Sequence, residues 1–215
     1  MKRHELREII QGGESSTVEF KRKFTTTEKI AREIIAFANT TGGYLIIGVD
    51  DDGSVVGVTS EKEQVSQVEI ATHSIIPELT VQVEIVEIEF RDVVVVNVPN
   101  SDRKPHRFIS DDPNERPFER RAYIRQGEST VTASREMARI LAGQNPESPP
   151  FTLSIGDRER RLFTYLERHG KASVADFARL VNISRRRAAQ ILVKLVRAGV
   201  IHIHSDGGHD YYTLV

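Results

Sequence analysis

Residues 36–51 read Ala36-Phe-Ala-Asn-Thr-Thr-Gly-Gly-Tyr-Leu-Ile-Ile-Gly-Val-Asp-Asp51 and compress a helix end, a turn, a strand and an acidic reversal into one run. Ile30, Ile34, Phe37 and Ala38 recur at helical spacing up to Asn39, which predicts an amphipathic helix. Gly42-Gly43 interrupts that period. Tyr44 to Val49 is then apolar at nearly every position, the pattern of a strand buried on both faces. Asp50-Asp-Asp-Gly53 is a strong turn signal, and Val55 to Val58 is expected to return as its hairpin partner.

Upstream, Val18 and Phe20 alternate with Glu19 and Lys21 inside Ser15 to Phe24, so this segment reads as a strand. Thr25 stands three residues before Glu28, a capping-box spacing for the helix that follows. Before the strand, Leu6, Ile9 and Ile10 form the apolar side of a short helix ended by Gly12-Gly13. Downstream, Ser60 precedes Glu63 at the same capping spacing, and a second helix is expected from there to about Ser74. Val81, Val83 and Ile85 alternate, after which the phase shifts to Val86, Ile88 and Phe90. That shift implies a bulge or a strand that changes faces. Val93 to Val98 is its expected partner, stopped by Pro99. Residues 100–118 read as a long polar loop. Ala122 to Arg125 reads as a short strand, and a helix is expected over about 133–142. After the first helix the order is β-α-β-β-α-β-β-β-α, an α+β lobe.

Gly143-Gln-Asn-Pro-Glu-Ser-Pro-Pro-Phe151 holds three of the chain's eight prolines and no hydrophobic period. It predicts a linker at 146–152 between a lobe over 1–145 and a smaller domain over 153–215. Charge divides the same way. Residues 151–215 carry eleven Lys and Arg against six Asp and Glu, whereas residues 1–150 carry nineteen against twenty-five. The basic end is the expected polyanion binder. The 215 residues contain no cysteine, which excludes disulfides, thiol catalysis and cysteine-based metal sites. No apolar run approaches the roughly 20 residues of a membrane span, and the opening residues carry no signal-peptide pattern. A cytoplasmic protein with no membrane partner is expected.

The basic end is itself patterned. Leu162, Phe163 and Leu166 mark one helix. Val174, Phe177, Ala178 and Val181 mark a second, capped by Ser173. Ala188, Ile191, Leu192, Leu195 and Val196 mark a third, capped by Ser184. Two strands around Ser205 to Asp210 follow. Three helices and a hairpin make a winged helix-turn-helix, whose third helix enters the DNA major groove with its N-terminal residues facing base edges. Here those residues are Ser184, Arg185, Arg186, Arg187 and Gln190. Arginine suits guanine and phosphate, and glutamine suits adenine. Lys194, on the same helix, and His209, at the hairpin tip, complete the candidate nucleic-acid-binding set. The plainer account is a solvated helix start, but three arginines do not complement the positive end of a helix dipole. Winged helices also serve as protein–protein modules, so a protein-interaction role without nucleic acid stays open.

In the first lobe Glu14, Glu19 and Asp51 stand out. Carboxylates gathered from a strand and a neighbouring turn can hold Mg²⁺ or Mn²⁺, which could orient a phosphodiester and activate water or a 2′-hydroxyl. Glu14 reaches a common site with Glu19 only by bending back from its loop. Lys21 shares a strand face with Glu19 and could neutralise phosphate. Turn and surface chemistry accounts for the same three acids equally simply.

Glu14-Ser-Ser-Thr-Val-Glu19-Phe-Lys21, the run from Ala36 to Asp51, Lys104-Pro105-His106, and Tyr123-Ile-Arg-Gln-Gly127 with Ser129-Thr130 occur in order. Together they resemble the Schlafen-type AlbA-like domain, over about residues 5–142. The resemblance implies a mixed α/β lobe and, with the C-terminal unit, a DNA-binding transcriptional regulator. It also carries an alternative. In Schlafen proteins that cleave transfer and ribosomal RNA, two glutamates and an aspartate form the nuclease site, and motif matching puts these on Glu14, Glu19 and Asp51. On that reading the catalytic set is Glu14, Glu19, Asp51 and Lys21, and the enzyme is a metal-dependent endoribonuclease acting on structured RNA. The nuclease core joins two such lobes and carries zinc, whereas this chain has one lobe and no cysteine. A homodimer would rebuild the two-lobed groove, and two-fold operators also favour one. Duplex DNA is the favoured partner and structured RNA the alternative. No phosphate-loop motif is present, so ATP is not expected. Two local basic clusters, Arg103, Lys104, His106 and Arg107, and Arg116, Arg120, Arg121 and Arg125, could serve RNA or form a solvated rim.

Overall fold

The computed structural model describes residues 1–110, 120–206 and 209–215. The chain divides into two compact units, Met1–Ala133 and Ser134–Val215. The first is built on a four-stranded mixed sheet. Its strands are β1 (Val18–Lys21), β2 (Gly43–Ile47), β4 (Gln82–Ile88) and β5 (Arg91–Val98), in the order β1-β2-β5-β4. β1 and β2 are parallel, with Glu19 opposite Leu45 and Lys21 opposite Ile47. Antiparallel pairing joins the other strands. Helix α2 (Thr27–Asn39) supplies the crossover between β1 and β2. The architecture is α+β, as the sequence predicts.

Strand alternation sorts the apolar residues into two cores, one on each face of the sheet. Phe20, Ile46, Val93 and Val95 face α1 (Arg3–Gly12) and its buried Leu6. Leu45, Ile47, Val94 and Val96 face α2 and α3 (Glu61–His73). Each of those eight strand residues is at most 1% exposed, which is why β2 and β5 read as unbroken apolar runs. Helix starts follow side-chain caps. Ser60 caps α3 by accepting from the Glu63 amide. For α2 the cap is Thr26, accepting from the Lys29 amide, one residue after the Thr25 that the spacing picked out.

Two local expectations are corrected, and a third is decided between the two alternatives it left open. Val55–Val58 does not form a strand, and a single bridge, Val49 to Val55, remains of the expected hairpin. The phase shift in β4 is not a bulge, because its register with β5 runs unbroken from Gln82–Asn97 to Ile88–Arg91. Instead, Val83 packs against one core and Val86 and Ile88 against the other. The strand changes the face it buries along its length. Residues 100–110 are not all loop, since β6 (Arg107–Phe108) pairs with β3 (Ile75–Ile76). Residues 111–119, including Arg116, lie outside the described residues. The lobe closes with a hairpin of β7 (Tyr123–Gln126) and β8 (Ser129–Thr132); β8 was not legible as a strand.

The second unit contains α4 (Arg135–Ala142), α5 (Asp157–His169), α6 (Val174–Leu180) and α7 (Arg185–Arg197). A hairpin of β9 (Ile201–Asp206) and β10 (His209–Leu214) follows. Leu162, Leu166, Phe177, Ala188, Leu192, Leu195, Ile201 and Tyr212 form its core. A bridge from Ala172 to Tyr212 adds a short third strand segment. Asn182, at φ 53°, makes the turn between α6 and α7, a conformation asparagine tolerates better than most residues. Gly207 and Gly208, in the expected hairpin tip, lie outside the described residues.

The units part at Ala133 and Ser134 rather than at 146–152. Helix α4, expected in the first lobe, is anchored to the second. Its N-cap Ser134 donates to the Asp210 carboxylate of β10. Residues 143–151 are held as well. Arg197 donates to the Gly143 carbonyl at 3.2 Å and stacks over Phe151 at 4.4 Å. The prolines mark irregular backbone, and its side chains still find a surface to cover.

Candidate functional site

Glu19 projects from β1 towards α2, on the sheet face it shares with Leu45 and Lys21. It forms an ion pair with Lys21, so the shared face inferred from their two-residue spacing is real. Its other carboxylate oxygen accepts from Arg125 Nη1 at 2.9 Å. Arg125, on β7, is the hub of the cluster, with a side chain 1% exposed. Its Nη1 also reaches Glu33 of α2 at 3.2 Å and the Thr130 hydroxyl at 3.1 Å. Its Nη2 donates to the carbonyls of Ser15 and Glu128, each at 2.8 Å, and its guanidinium lies over the Phe37 ring at 4.8 Å. Thr130 in turn donates to Glu33. Burial pushes the Glu33 carboxyl above its ordinary range, against the Thr130 hydrogen bond, and the Glu19 charge adds to the rise.

Glu14 does bend back, to satisfy the backbone. Its Oε1 accepts from the Phe20 amide at 2.8 Å. β1 is an edge strand, and a carboxylate on an exposed edge N–H blunts that edge. Asp51 is exposed in the reversal after β2, where neighbouring Asp50 pairs with Arg22 at 2.8 Å. The three acids are therefore not gathered. Glu14 serves an amide, Glu19 faces two cations, and Asp51 faces solvent. Among the described residues no three His, Asp or Glu side chains converge as metal ligands. In this arrangement the trio does not fit Mg²⁺ or Mn²⁺.

The basic clusters of this lobe are also not a uniform rim. Arg125, Lys104 and His106 are buried. Asn39, at the end of α2, donates to the His106 and Tyr123 carbonyls and accepts from the His106 amide. Lys104 donates to the Thr40 carbonyl at 2.8 Å. His106 Nδ1–H donates to the Pro77 carbonyl at 2.8 Å, which leaves Nε2 to accept from the Ser101 hydroxyl at 2.7 Å. This neutral imidazole is a structural clip, and burial holds its pKa below the ordinary value. The unfolded chain then binds the proton more readily, so the clip's contribution is intact above the ordinary imidazole value of about 6.5 and is lost as pH falls below it. Chemical denaturation between pH 7.5 and 5.5 is expected to show stability dropping with acidification, with a shallower slope in His106→Gln. An equal slope in the variant would assign the drop to other groups.

In the second unit the sequence-derived set lies on the surface. Ser184, Arg185, Arg186, Arg187, Gln190, Lys194 and His209 are all exposed. Ser184 caps α7 by accepting from the Arg187 amide at 3.2 Å, so the arginines start at the first helical turn. No acidic residue shares that turn. Arg186, Arg187, Gln190 and Lys194 fall on the side of α7 opposite buried Ala188, Leu192 and Leu195, as the 3.6-residue period requires. Missed in the sequence were Glu33, whose helical position carries no local mark of burial, and the assignment of α4. The Glu33 signal was present only as Thr130 and Arg125, each distant in sequence.

A family model described as Schlafen, AlbA_2 matches residues 14–134. Among solved structures, the chain is similar to the DIP2311 protein from Corynebacterium diphtheriae, at 20% identity and a TM-score of 0.46 over 66% of this chain. It spans 30% of that protein's length. It is also similar to the N-terminal domain of a Nitrosomonas europaea protein named as related to the ATP-dependent DNA helicase RecG. That likeness has 26% identity and a TM-score of 0.43, and covers 63% of this chain and 93% of that one. No described helix is long and apolar enough to cross a membrane.

Proposed function

The chain belongs to the Schlafen AlbA_2 family, and on that premise we propose that it is a nucleic-acid-binding protein that regulates transcription by contacting duplex DNA through α7. The carrying observation is the first turn of α7, where Arg185, Arg186 and Arg187 are exposed with no acid among them. Cations at the positive end of a helix dipole repel it and one another. A polyanion relieves both repulsions, which gives this placement a purpose that a solvated surface would not. Three helices followed by a hairpin supply the frame in which such a helix can enter a major groove. Metal-dependent cleavage of structured RNA draws less support, since two of its three acids are engaged by protein groups. A homodimer would match a two-fold operator, and a molar mass of two chains in light scattering is the expected result.

The test is anisotropy of labelled duplex DNA across a salt series, comparing the protein with an Arg185→Ala, Arg186→Ala, Arg187→Ala variant. Each lost phosphate contact lowers the slope of log K against log salt by about 0.9, so a drop of about 2–3 is expected, with loss of retention at physiological salt. Equal slopes would remove α7 from the interface. Incubation with transfer RNA and Mn²⁺ covers the other reading. Cleavage abolished by Asp51→Asn, a change at an exposed side chain, would overturn the regulator.

A further inference from the structure

The outward face of α7 is the floor of a groove rather than a bare ridge. A cavity of about 780 Å³ is lined by Arg187, Gln190 and Lys194 of α7, by Arg139 of α4, and by residues 152–154 and 156–159 around the start of α5, with Arg158 among them. We propose that Arg139 and Arg158 are phosphate-holding residues, one on each wall, for the same nucleic acid that α7 contacts. The inference rests on the proposed reading of α7 and extends the interface to a helix that the linker composition had placed in the other domain.

Charge accounting favours a polyanion. Arg197 is consumed by the Gly143 carbonyl and the Phe151 ring. Of the two acids on the wall, Glu159 accepts from the Gly156 amide at 2.9 Å, which keeps its carboxylate at its own helix start. Asp157 lies 3.9 Å from Arg160, with a side chain 96% exposed. Four cations, Arg139, Arg158, Arg187 and Lys194, then face one groove. Arg139 is 3.7 Å from Glu136 in an i,i+3 pair whose side chains are 52% and 23% exposed, and ion pairs open to solvent exchange at little cost. Arg158 is exposed.

The walls are also held in place. The Ser134–Asp210 hydrogen bond fixes the start of α4. Ala189 and Val193 of α7, off its main inward face, are buried, and α4 is one of the elements that packs on α7. A cation on a fixed helix loses less freedom on binding than one on a loop, so more of its phosphate attraction survives as affinity. Gln190, between the two walls, supplies the polar group that can read a base edge.

Arg139→Ala and Arg158→Ala, each measured in the full chain with labelled duplex DNA across a salt series, test this. Arg168→Ala is the control, an exposed arginine of α5 absent from the groove lining. The first two are each expected to lower the slope of log K against log salt by about 0.9 and to weaken binding several-fold, while Arg168→Ala leaves the slope unchanged. Arg139→Lys should recover the slope, because a phosphate contact needs charge rather than the arginine fork. Unchanged slopes for both wall variants, with loss of binding in the α7 triple variant, would sink the walls and leave the α7 reading standing. Binding indifferent to the α7 variant would instead remove the reading on which the walls depend.

Discussion

Arg125→Ala is expected to destabilise the first unit by about 3–5 kcal/mol, the usual cost of removing one partner from a buried charge cluster. The size follows from what is left behind. Glu19 and Glu33, with side chains only 10% and 14% exposed, both lose the guanidinium, and the carbonyls of Ser15 and Glu128 lose their donor. Lys21 still faces Glu19 and Thr130 still donates to Glu33, so the loss is large without being complete. Arg125→Lys keeps the charge but cannot reproduce a fork that reaches two carboxylates and two carbonyls, and should recover part of the loss. Because the Glu33 carboxyl is already raised by burial, the folded state binds its proton more readily than the unfolded chain does. Stability from this group is therefore greatest below the ordinary carboxylate value and falls as pH rises through it, and Arg125→Ala should steepen that fall. Urea denaturation measures both effects. Adding Glu19→Gln and Glu33→Gln to Arg125→Ala removes the stranded charges and should restore part of the stability. If the triple variant were no more stable than Arg125→Ala alone, uncompensated charge would not be the cause.

Gly42→Ala should cost about 2–6 kcal/mol through two separate terms, left-handed backbone and overpacking. Gly42 has φ +78°, and a Cβ there would stand 2.7 Å from both the Val98 carbonyl oxygen and the Asn100 amide nitrogen. Neither neighbour is a flexible side chain. Both belong to the exit from β5, whose Val98 is paired with Gly43. Gly127→Ala is the control, because Gly127 also has positive φ, +58°, but a Cβ there would meet nothing within 4 Å. It should show the backbone term without the clash. Thermal unfolding should drop by more than about 5 °C for Gly42→Ala, at roughly 2–4 °C per kcal/mol, and by clearly less for Gly127→Ala. Equal drops would refute the clash.

Gly42 and its neighbour Gly43 separate what is local in the sequence from what is not. Gly42-Gly43 is legible as a break between α2 and β2 because a helical period stops there and a strand run begins. That the second Cβ would lie 2.5 Å from the Thr17 carbonyl and 2.6 Å from the Phe37 ring depends on β1 lying beside β2. Only the parallel crossover brings them together.

Periodicity and local side-chain chemistry are properties of consecutive residues, and what rests on them is in the chain itself. That holds for the α+β class, the helices, β2 and β5, the Ser60, Ser173 and Ser184 caps, and the exposed arginine start of α7. Long-range partners are not such properties. Arg125 read as one more surface cation, and Lys104 and His106 as part of a basic loop, because nothing near them in sequence announces burial. Glu33 lies 92 residues from Arg125. The prolines of 143–151 suggested a free linker, until Arg197 and Asp210 supplied the contacts that tie it and α4 to the second unit. Charges are costly to bury unless they are paired, and the pairs exist only once the sheet has folded.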